Sequence, residues 1–262
     1  MCWFKSPISK IGYFHFGETD KADPVRSLQR SLEQEQRTRG DQAFAGALIV
    51  LPEAFNIKGD YFESVQPDPS VEASVRKISK NLGVCFVVGL IDRSKSDRPG
   101  YSRACLIDGS KAETLTYKAD RDGSPNYVTH ACWDRPLRHR GVFIVSLICH
   151  DAADDTPRPR RLDELSRLMA AWQEKKERHR RLLAQMTTHP PPVRVALCIP
   201  GRMNEIMSER LAKHWLELCS GSYVIIANGT AGSNSVICHG ELLICSEMST
   251  NSVVALPWCD LD

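Results

Sequence analysis

The chain has 262 residues, a length that fits one large domain and can bury a substantial core without disulfide bonds or a structural metal. Its hydrophobic and charged fractions, 42% and 25%, are ordinary for a globular protein, and its net charge of +2 indicates no oppositely charged partner. No stretch approaches the roughly 20 apolar residues of a transmembrane helix, and residues 1–10 lack the apolar segment of a secretory signal. We therefore expect a cytoplasmic protein that does not cross a membrane.

The ten cysteines do not form the pattern of a disulfide framework or a zinc site. Cys85, Cys149, Cys198 and Cys245 lie within or beside apolar segments, where a free cysteine behaves as a small hydrophobic residue. No two cysteines have the CxxC spacing of zinc ribbons and thioredoxin-like proteins, and the histidines are scattered along the sequence. We therefore expect free thiols in a reducing compartment and no bound metal.

Predicted strands and helices alternate along the chain, an order typical of a layered α/β domain. The dipeptide Asp23-Pro24 predicts the start of a helix, with aspartate as the N-cap and proline at the first helical position. Helices are predicted at 24–39, 70–81 and 207–219, and strands at 11–16, 47–51, 84–91, 104–107, 113–117, 142–148, 193–199, 223–227, 235–245 and 252–257. We expect residues 1–262 to form a single domain.

A basic segment at about residues 156–190 interrupts this alternation. A polar, proline-containing linker leads into residues 161–186, which have helical periodicity, an apolar stripe and a strongly basic second half that includes Arg178. Glutamates are interspersed with the basic residues, and no aromatic stacking platform accompanies them. The pattern therefore predicts a helical insertion with a solvent-exposed basic face and does not favour a nucleic-acid partner.

Glu53, Lys118 and Cys149 each follow directly after an apolar segment that predicts a strand. Side chains at strand ends emerge into the crevices where ligand sites form in layered α/β folds. A thiol needs a base and a nearby positive charge to act as a nucleophile, a carboxylate can accept and return its proton, and an ammonium group can stabilise an oxyanion. The three residues are therefore a chemically complete set, although each alone also has a structural interpretation.

Two neighbours of Cys149 have competing interpretations. His150 could form a dyad with the thiol, but neighbours on an extended segment point to opposite faces, so we do not expect contact between them. Asp151 returns to the face of Cys149, where its structural alternative is an ion pair with an arginine. Neither residue indicates a different catalytic class.

The three strand-end residues lie in motifs that resemble those of the nitrilase superfamily of carbon–nitrogen hydrolases. Residues 46–55, GALIVLPEAF, resemble its glutamate motif; Tyr117-Lys118 resembles its lysine motif; and residues 147–151, LICHD, resemble its cysteine motif. The intervals, 65 residues from Glu53 to Lys118 and 31 from Lys118 to the cysteine of the third motif, are typical of that family. Later strand segments match in the same order, so the resemblance spans nearly the whole chain.

This resemblance implies a four-layer αββα sandwich, pairing into a homodimer, and no metal or organic cofactor. It implies that Glu53 is the general base, Lys118 the oxyanion stabiliser, and Cys149 the nucleophile that forms an acyl-enzyme. The backbone N–H of His150 would be the second oxyanion donor. The expected activity is amidase-like hydrolysis of a small non-peptide carbon–nitrogen bond, and acyl transfer to an amine would use the same residues.

The sequence departs from the family pattern near the site. The family usually carries a second glutamate between its lysine and its cysteine, but here the only acidic residues in that interval are Asp120, Asp122 and Asp134. The aromatic-proline step that tends to follow the cysteine motif is also missing. The alternative is therefore a catalytically silent nitrilase-fold protein that serves as an interaction or regulatory module. A hydrogen bond between one of these aspartates and Lys118 would favour the enzyme.

Overall fold

The computed structural model describes residues 6–15, 23–57, 67–92, 101–118, 136–152, 173–174, 176–182, 184, 194–202, 205–218, 222–229, 234–239, 241–246 and 258–260. The helices whose bounds the structure describes are α1 (Pro24–Arg39), α2 (Ser70–Leu82) and α3 (Glu205–Leu218). The strands are β1 (Lys10–Tyr13), β2 (Ala47–Val50), β3 (Cys85–Asp92), β4 (Tyr101–Asp108), β5 (Lys111–Tyr117), β6 (Leu137–His139), β7 (Val142–Ser146), β8 (Arg194–Gly201), β9 (Tyr223–Asn228), β10 (Ser235–His239), β11 (Glu241–Ser246) and β12 (Trp258–Asp260).

The strands form two mixed six-stranded sheets. The first has the order β12-β1-β2-β3-β4-β5, and the second has the order β11-β10-β9-β8-β7-β6. Parallel pairing joins β1, β2 and β3 in the first sheet and β7, β8 and β9 in the second, while hairpins extend both sheets at their edges. The carboxyl ends of these parallel strands are therefore the natural place for a site.

Three apolar clusters define four layers. One cluster joins the two sheets, with Ile11 and Val87 of the first sheet and Ile225 of the second among its members. A second cluster packs α1 and α2 against the outer face of the first sheet. The third packs α3, including its buried Trp215, against the outer face of the second sheet. This order confirms the predicted αββα sandwich.

The predicted boundaries agree closely with the structure for most elements. The Asp23 side chain accepts a hydrogen bond from the backbone N–H of Arg26 at 3.1 Å and caps α1, with proline at the first helical position. The single strand predicted at 235–245 is wrong, because the chain reverses between His239 and Glu241 to form the antiparallel pair β10–β11. The strand β6 was not predicted, and the strand predicted at 252–257 lies outside the described residues.

The described residues of the basic segment, 173–174, 176–182 and 184, are all helical. Lys176, Glu177 and Arg180 are exposed, as the sequence predicts. The prediction of a solvent-exposed basic face is wrong for Arg178, which is 3% exposed, because its charge has a buried partner in another part of the chain. No described helix is both long and apolar enough to cross a membrane. The described cysteines Cys85, Cys105, Cys149, Cys198 and Cys238 are buried thiols.

Candidate active site

The structure brings the three strand-end residues together at one edge of the sandwich. Glu53 follows β2 and Lys118 follows β5 in the first sheet, while Cys149 begins a 3-10 turn, Cys149–Ala152, after β7 of the second sheet. Two antiparallel pairings separate β5 from β3, so the carboxyl ends of β5 and β2 lie at the same edge. All three side chains are buried, with exposed fractions of 1%, 3% and 5%.

Glu53 and Lys118 form a buried ion pair, and Ser102 is hydrogen-bonded to both residues. The Lys118 ammonium donates to Glu53 Oε1 at 3.1 Å, and the Ser102 hydroxyl donates to the same oxygen at 3.0 Å. The backbone carbonyl of Ser102 also accepts from the backbone N–H of Lys118 at 2.8 Å. Ser102 therefore fixes the carboxylate and the lysine relative to each other, a role that no local sequence pattern indicated.

Cys149 has a conformation that is unusual for a residue with a side chain. Its φ angle of 49° lies in the left-handed region, which residues other than glycine rarely adopt and which is enriched at functional sites. The thiol hydrogen-bonds to the carboxylate of Glu53 and to the backbone N–H of Arg202, and it also interacts with the charge of Lys118. The strained turn therefore directs the sulfur atom at the ion pair.

The surroundings of Cys149 keep its thiol protonated. Burial is the largest cause and, together with the negative charge of Glu53, raises the pKa of Cys149 to about 12. Lys118 and the backbone N–H of Arg202 act in the opposite direction because both favour the thiolate. At neutral pH the site therefore holds a thiol hydrogen-bonded to a carboxylate and not a standing thiolate.

The end of β8 in the second sheet holds the backbone of Glu53. The carbonyl of Gly201 accepts from the Glu53 N–H at 3.4 Å, and Arg202 Nε donates to the Glu53 carbonyl at 3.2 Å. Gly89 packs against the same backbone: a Cβ atom at that position would lie 2.6 Å from Glu53 Cα, closer than carbon atoms approach. Both sheets thus fix the backbone from which the carboxylate extends.

The turn that carries Cys149 is hydrogen-bonded to the helical segment 176–182 and to α3. Arg178 Nη1 donates to Asp151 Oδ2 at 3.2 Å, and its Nη2 donates to the Thr116 hydroxyl, also at 3.2 Å. The His179 ring hydrogen-bonds to the Asp151 carbonyl at 2.9 Å, and Trp215 Nε1 donates to the Ala152 carbonyl at 2.8 Å. Asp151 therefore forms the ion pair with an arginine that its sequence position allowed.

The guanidinium of Arg178 connects two parts of the candidate site. Its partner Thr116 lies two residues before Lys118 on β5, and its partner Asp151 lies two residues after Cys149. Arg178 is therefore buried because of its hydrogen bonds to these site residues, and not because it lies on an apolar face of its helix. Sequence periodicity classified it with its exposed neighbours because the partner carboxylate lies 27 residues earlier in the chain.

Some predicted contributors to the site lie outside what the structure describes. Asp120, Asp122 and Asp134, the possible replacements for the missing second glutamate, fall in the undescribed interval 119–135. The backbone of His150 follows Cys149 in the 3-10 turn, but its side chain is not described. The roles proposed for these residues remain predictions.

Comparisons with known proteins give the fold. No protein-family model matches the chain, and no curated protein matches its sequence. Among solved structures, a cysteine-to-alanine variant of the Nesterenkonia AN1 amidase of the nitrilase superfamily superimposes with a TM-score of 0.62 at 13% identity, covering 98% of this chain and 91% of that one. The chain thus has the fold of nitrilase-superfamily amidases.

Two further structures of that amidase are similar to the same extent and contain amide compounds. A cysteine-to-alanine variant in complex with butyramide has a TM-score of 0.63 at 14% identity and covers 98% of this chain and 92% of that one. A glutamate-to-leucine variant shows covalent addition of the acetamide moiety of fluoroacetamide at the active-site cysteine. Its TM-score is 0.60 at 14% identity, and it covers 97% of this chain and 91% of that one.

Proposed function

We propose that this protein is a thiol-dependent hydrolase of small non-peptide carbon–nitrogen bonds, acting as an amidase through Glu53, Lys118 and Cys149. One observation carries the proposal: a thiol in a strained turn is hydrogen-bonded to a buried carboxylate that is itself paired with a buried ammonium group. A structural ion pair would not need a strained cysteine beside it, whereas a nucleophile requires both a base and an oxyanion stabiliser.

The first half of the reaction forms an acyl-enzyme. The sulfur of Cys149 attacks the carbonyl carbon of the amide while its proton passes to Glu53. The carbonyl oxygen becomes an oxyanion that the Lys118 ammonium and the backbone N–H of His150 stabilise. The intermediate then collapses: the carbon–nitrogen bond breaks, Glu53 returns its proton to the departing nitrogen, and ammonia or an amine leaves a thioester on Cys149.

Water completes the second half of the reaction. Glu53, again a carboxylate, accepts a proton from a water molecule that attacks the thioester carbonyl. The same donors stabilise the second oxyanion, and its collapse breaks the carbon–sulfur bond. The carboxylic acid leaves, and Cys149 recovers its proton from Glu53. Since the pKa of Cys149 is about 12, each cycle begins and ends with a protonated thiol. The thiolate forms only during the attack, when the proton passes to Glu53 within their hydrogen bond.

Short aliphatic amides are the proposed substrate class. The similar amidase structures contain butyramide and the acetamide moiety of fluoroacetamide. The three site residues here are almost fully buried, which suits a small acyl group. The proposal includes a single domain over residues 1–262 that carries the basic insertion, a homodimer, a cytoplasmic location, and a reaction that uses no metal or organic cofactor.

The direct experiment measures ammonia release from a series of short amides, beginning with butyramide. We expect Cys149→Ala and Glu53→Gln each to abolish hydrolysis, because one removes the nucleophile and the other the base. Cys198→Ala is the matched control, since Cys198 is a buried strand cysteine that lies outside the site. Full activity in either site variant would refute the mechanism, and inactivity of the wild-type protein on the whole series would favour the silent interaction module.

A further inference from the structure

A second cluster of reactive side chains lies at the opposite end of the strands from Glu53. Cys85 begins β3, Asp108 ends β4, and His139 ends β6. His139 Nε2 lies 3.1 Å from Asp108 Oδ2 and 3.7 Å from Cys85 Sγ, and the three donor atoms all lie within 4.8 Å of one another. A sulfur, a nitrogen and an oxygen thus converge on one point.

Two of the three separations between these atoms, nitrogen to oxygen and nitrogen to sulfur, are close to the edges of a tetrahedral metal site. Zinc binds cysteine sulfur at about 2.3 Å, histidine nitrogen at about 2.0 Å and carboxylate oxygen at about 2.1 Å, so tetrahedral angles separate nitrogen from oxygen by roughly 3.3 Å and nitrogen from sulfur by roughly 3.5 Å. The observed separations of 3.1 and 3.7 Å lie close to these values. Little movement would be needed to admit an ion.

Arg140 is the principal charge beside this cluster. Its Nε donates to Asp108 Oδ2 at 3.2 Å, its Nη2 contacts Asp108 Oδ1, and its Nη1 donates to the carbonyl of Gly83 at 3.3 Å. The guanidinium neutralises Asp108 when no ion is bound. Around an ion it would orient the carboxylate, as outer partners of ligating carboxylates commonly do. The thiolate, the carboxylate and the guanidinium leave a net charge of about +1 around a divalent ion, which an anionic fourth ligand would balance.

A cavity of about 960 Å³ opens beside the cluster and is lined by Asp108 and His139, whereas Cys85 is fully buried. Lys80, Lys111, Arg138 and Arg140 also line it, as do Asp41 and Glu113, so charges of both signs face the opening. The cavity provides a path for an ion and room for a water molecule or a small anion as the fourth ligand.

We propose that Cys85, Asp108 and His139 form a binding site for zinc or a similar divalent transition metal. On binding, the Cys85 thiol releases its proton to solvent, and His139 coordinates through Nε2 as the neutral ring with its proton on Nδ1. Cys85 and Asp108 belong to the first sheet, and His139 belongs to the second. The bound ion therefore joins the two sheets at the end remote from the amidase site and stabilises the sandwich.

The test uses the full chain without an affinity tag, freed of metal with a chelator and titrated with Zn²⁺ and with Co²⁺. We expect one ion per chain, a higher Tm in the presence of Zn²⁺, and a thiolate-to-cobalt charge-transfer band in the ultraviolet. Cys85→Ala and His139→Asn should remove the band and weaken Zn²⁺ binding by more than about tenfold, since loss of outer partners alone costs 10–100-fold. Cys198→Ala and Cys149→Ala should retain both signals.

Asp108→Asn provides a second variant that nearly preserves shape, and circular dichroism without metal checks that every variant is folded. The proposal is overturned if the wild-type chain binds no stoichiometric ion, if the band persists in Cys85→Ala, if Asp108→Asn binds Zn²⁺ as tightly as the wild type, or if Cys198→Ala loses the band equally. Each readout is binding or stability, so the result does not depend on whether the chain hydrolyses amides.

Discussion

Replacing Arg178 by methionine should destabilise the protein far more than a substitution in an exposed basic segment would. The substitution removes the guanidinium from the Asp151 carboxylate, which is 1% exposed, and from the hydroxyl of Thr116. Methionine keeps much of the apolar side-chain volume, so the loss is mainly electrostatic. Removing one partner of a buried ion pair typically costs about 3–5 kcal/mol, because the remaining charge stays buried.

This decrease in the free energy of unfolding corresponds to a large decrease in Tm. For a domain of this size, 1 kcal/mol shifts Tm by about 2–4 °C, so Arg178→Met should lower it by roughly 6–20 °C. Amide hydrolysis, measured well below the Tm of the variant, should also fall. Arg178 joins the turn of Cys149 to the strand of Lys118, and misplacement of catalytic groups by about 1 Å can cost roughly a hundredfold in rate.

Arg180→Met is the matched control, two residues along the same helical segment. Arg180 is exposed, with 76% of its side chain accessible, and its pair with Glu177 lies on the surface. Its loss should change stability by less than about 0.5 kcal/mol. Adding Asp151→Asn to Arg178→Met should restore part of the lost stability, because it removes the uncompensated charge. Equal Tm values for the two methionine variants would refute the buried ion-pair explanation.

Three further variants test how the site is held. Ser102→Ala removes a hydrogen bond to an ionised carboxylate and should cost about 1.5–3 kcal/mol in chemical denaturation, with reduced hydrolysis. Gly89→Ala places a methyl group 2.6 Å from Glu53 Cα and should destabilise by about 1–3 kcal/mol, measured in the same way. Lys118→Met removes a charge that lowers the pKa of Cys149, so iodoacetamide at pH 9 should label that cysteine more slowly than in the wild type. Glu53→Gln removes a charge that raises the same pKa, so the labelling rate of Cys149 should begin to increase at a lower pH. Unchanged unfolding midpoints in Ser102→Ala and Gly89→Ala would contradict the roles given to Ser102 and Gly89. The same pH profile of Cys149 labelling in the wild type, Lys118→Met and Glu53→Gln would contradict the influence of the two charges on the thiol.

Local sequence patterns predicted the order of strands and helices, and the resemblance to the nitrilase superfamily predicted the four layers. The apolar segment before Glu53 became β2, and Asp23-Pro24 opened α1 as expected. The three site residues were found because each directly follows a strand, where the sheet itself fixes the side chain. The reversal between β10 and β11 was missed because apolar residues continue on both sides of it.

The supporting residues of the site could not be predicted in the same way. Ser102 near the start of β4 and Arg178 in a basic segment carry no local signal, because their partners lie 49 and 27 residues away. Amphipathic periodicity classifies a residue by its helix face, and it cannot indicate a buried carboxylate that another element supplies. Such contacts depend on tertiary packing, so only the structure identifies them.

The central claim is that Cys149 is a nucleophile directed at small amides, and peptide-resolved mass spectrometry of Glu53→Gln treated with fluoroacetamide tests it most directly. Fluoroacetamide presents a small amide to the site, and Glu53→Gln removes the charge that raises the pKa of Cys149, so the thiolate forms more readily. Displacement of fluoride by this thiolate leaves a stable acetamide group on the attacking cysteine. Of the ten cysteines, Cys149 should carry this group first, and Lys118→Met in the same background should slow the reaction. Labelling of Cys149 no faster than that of Cys198, or spread evenly over the other cysteines, would contradict the claim.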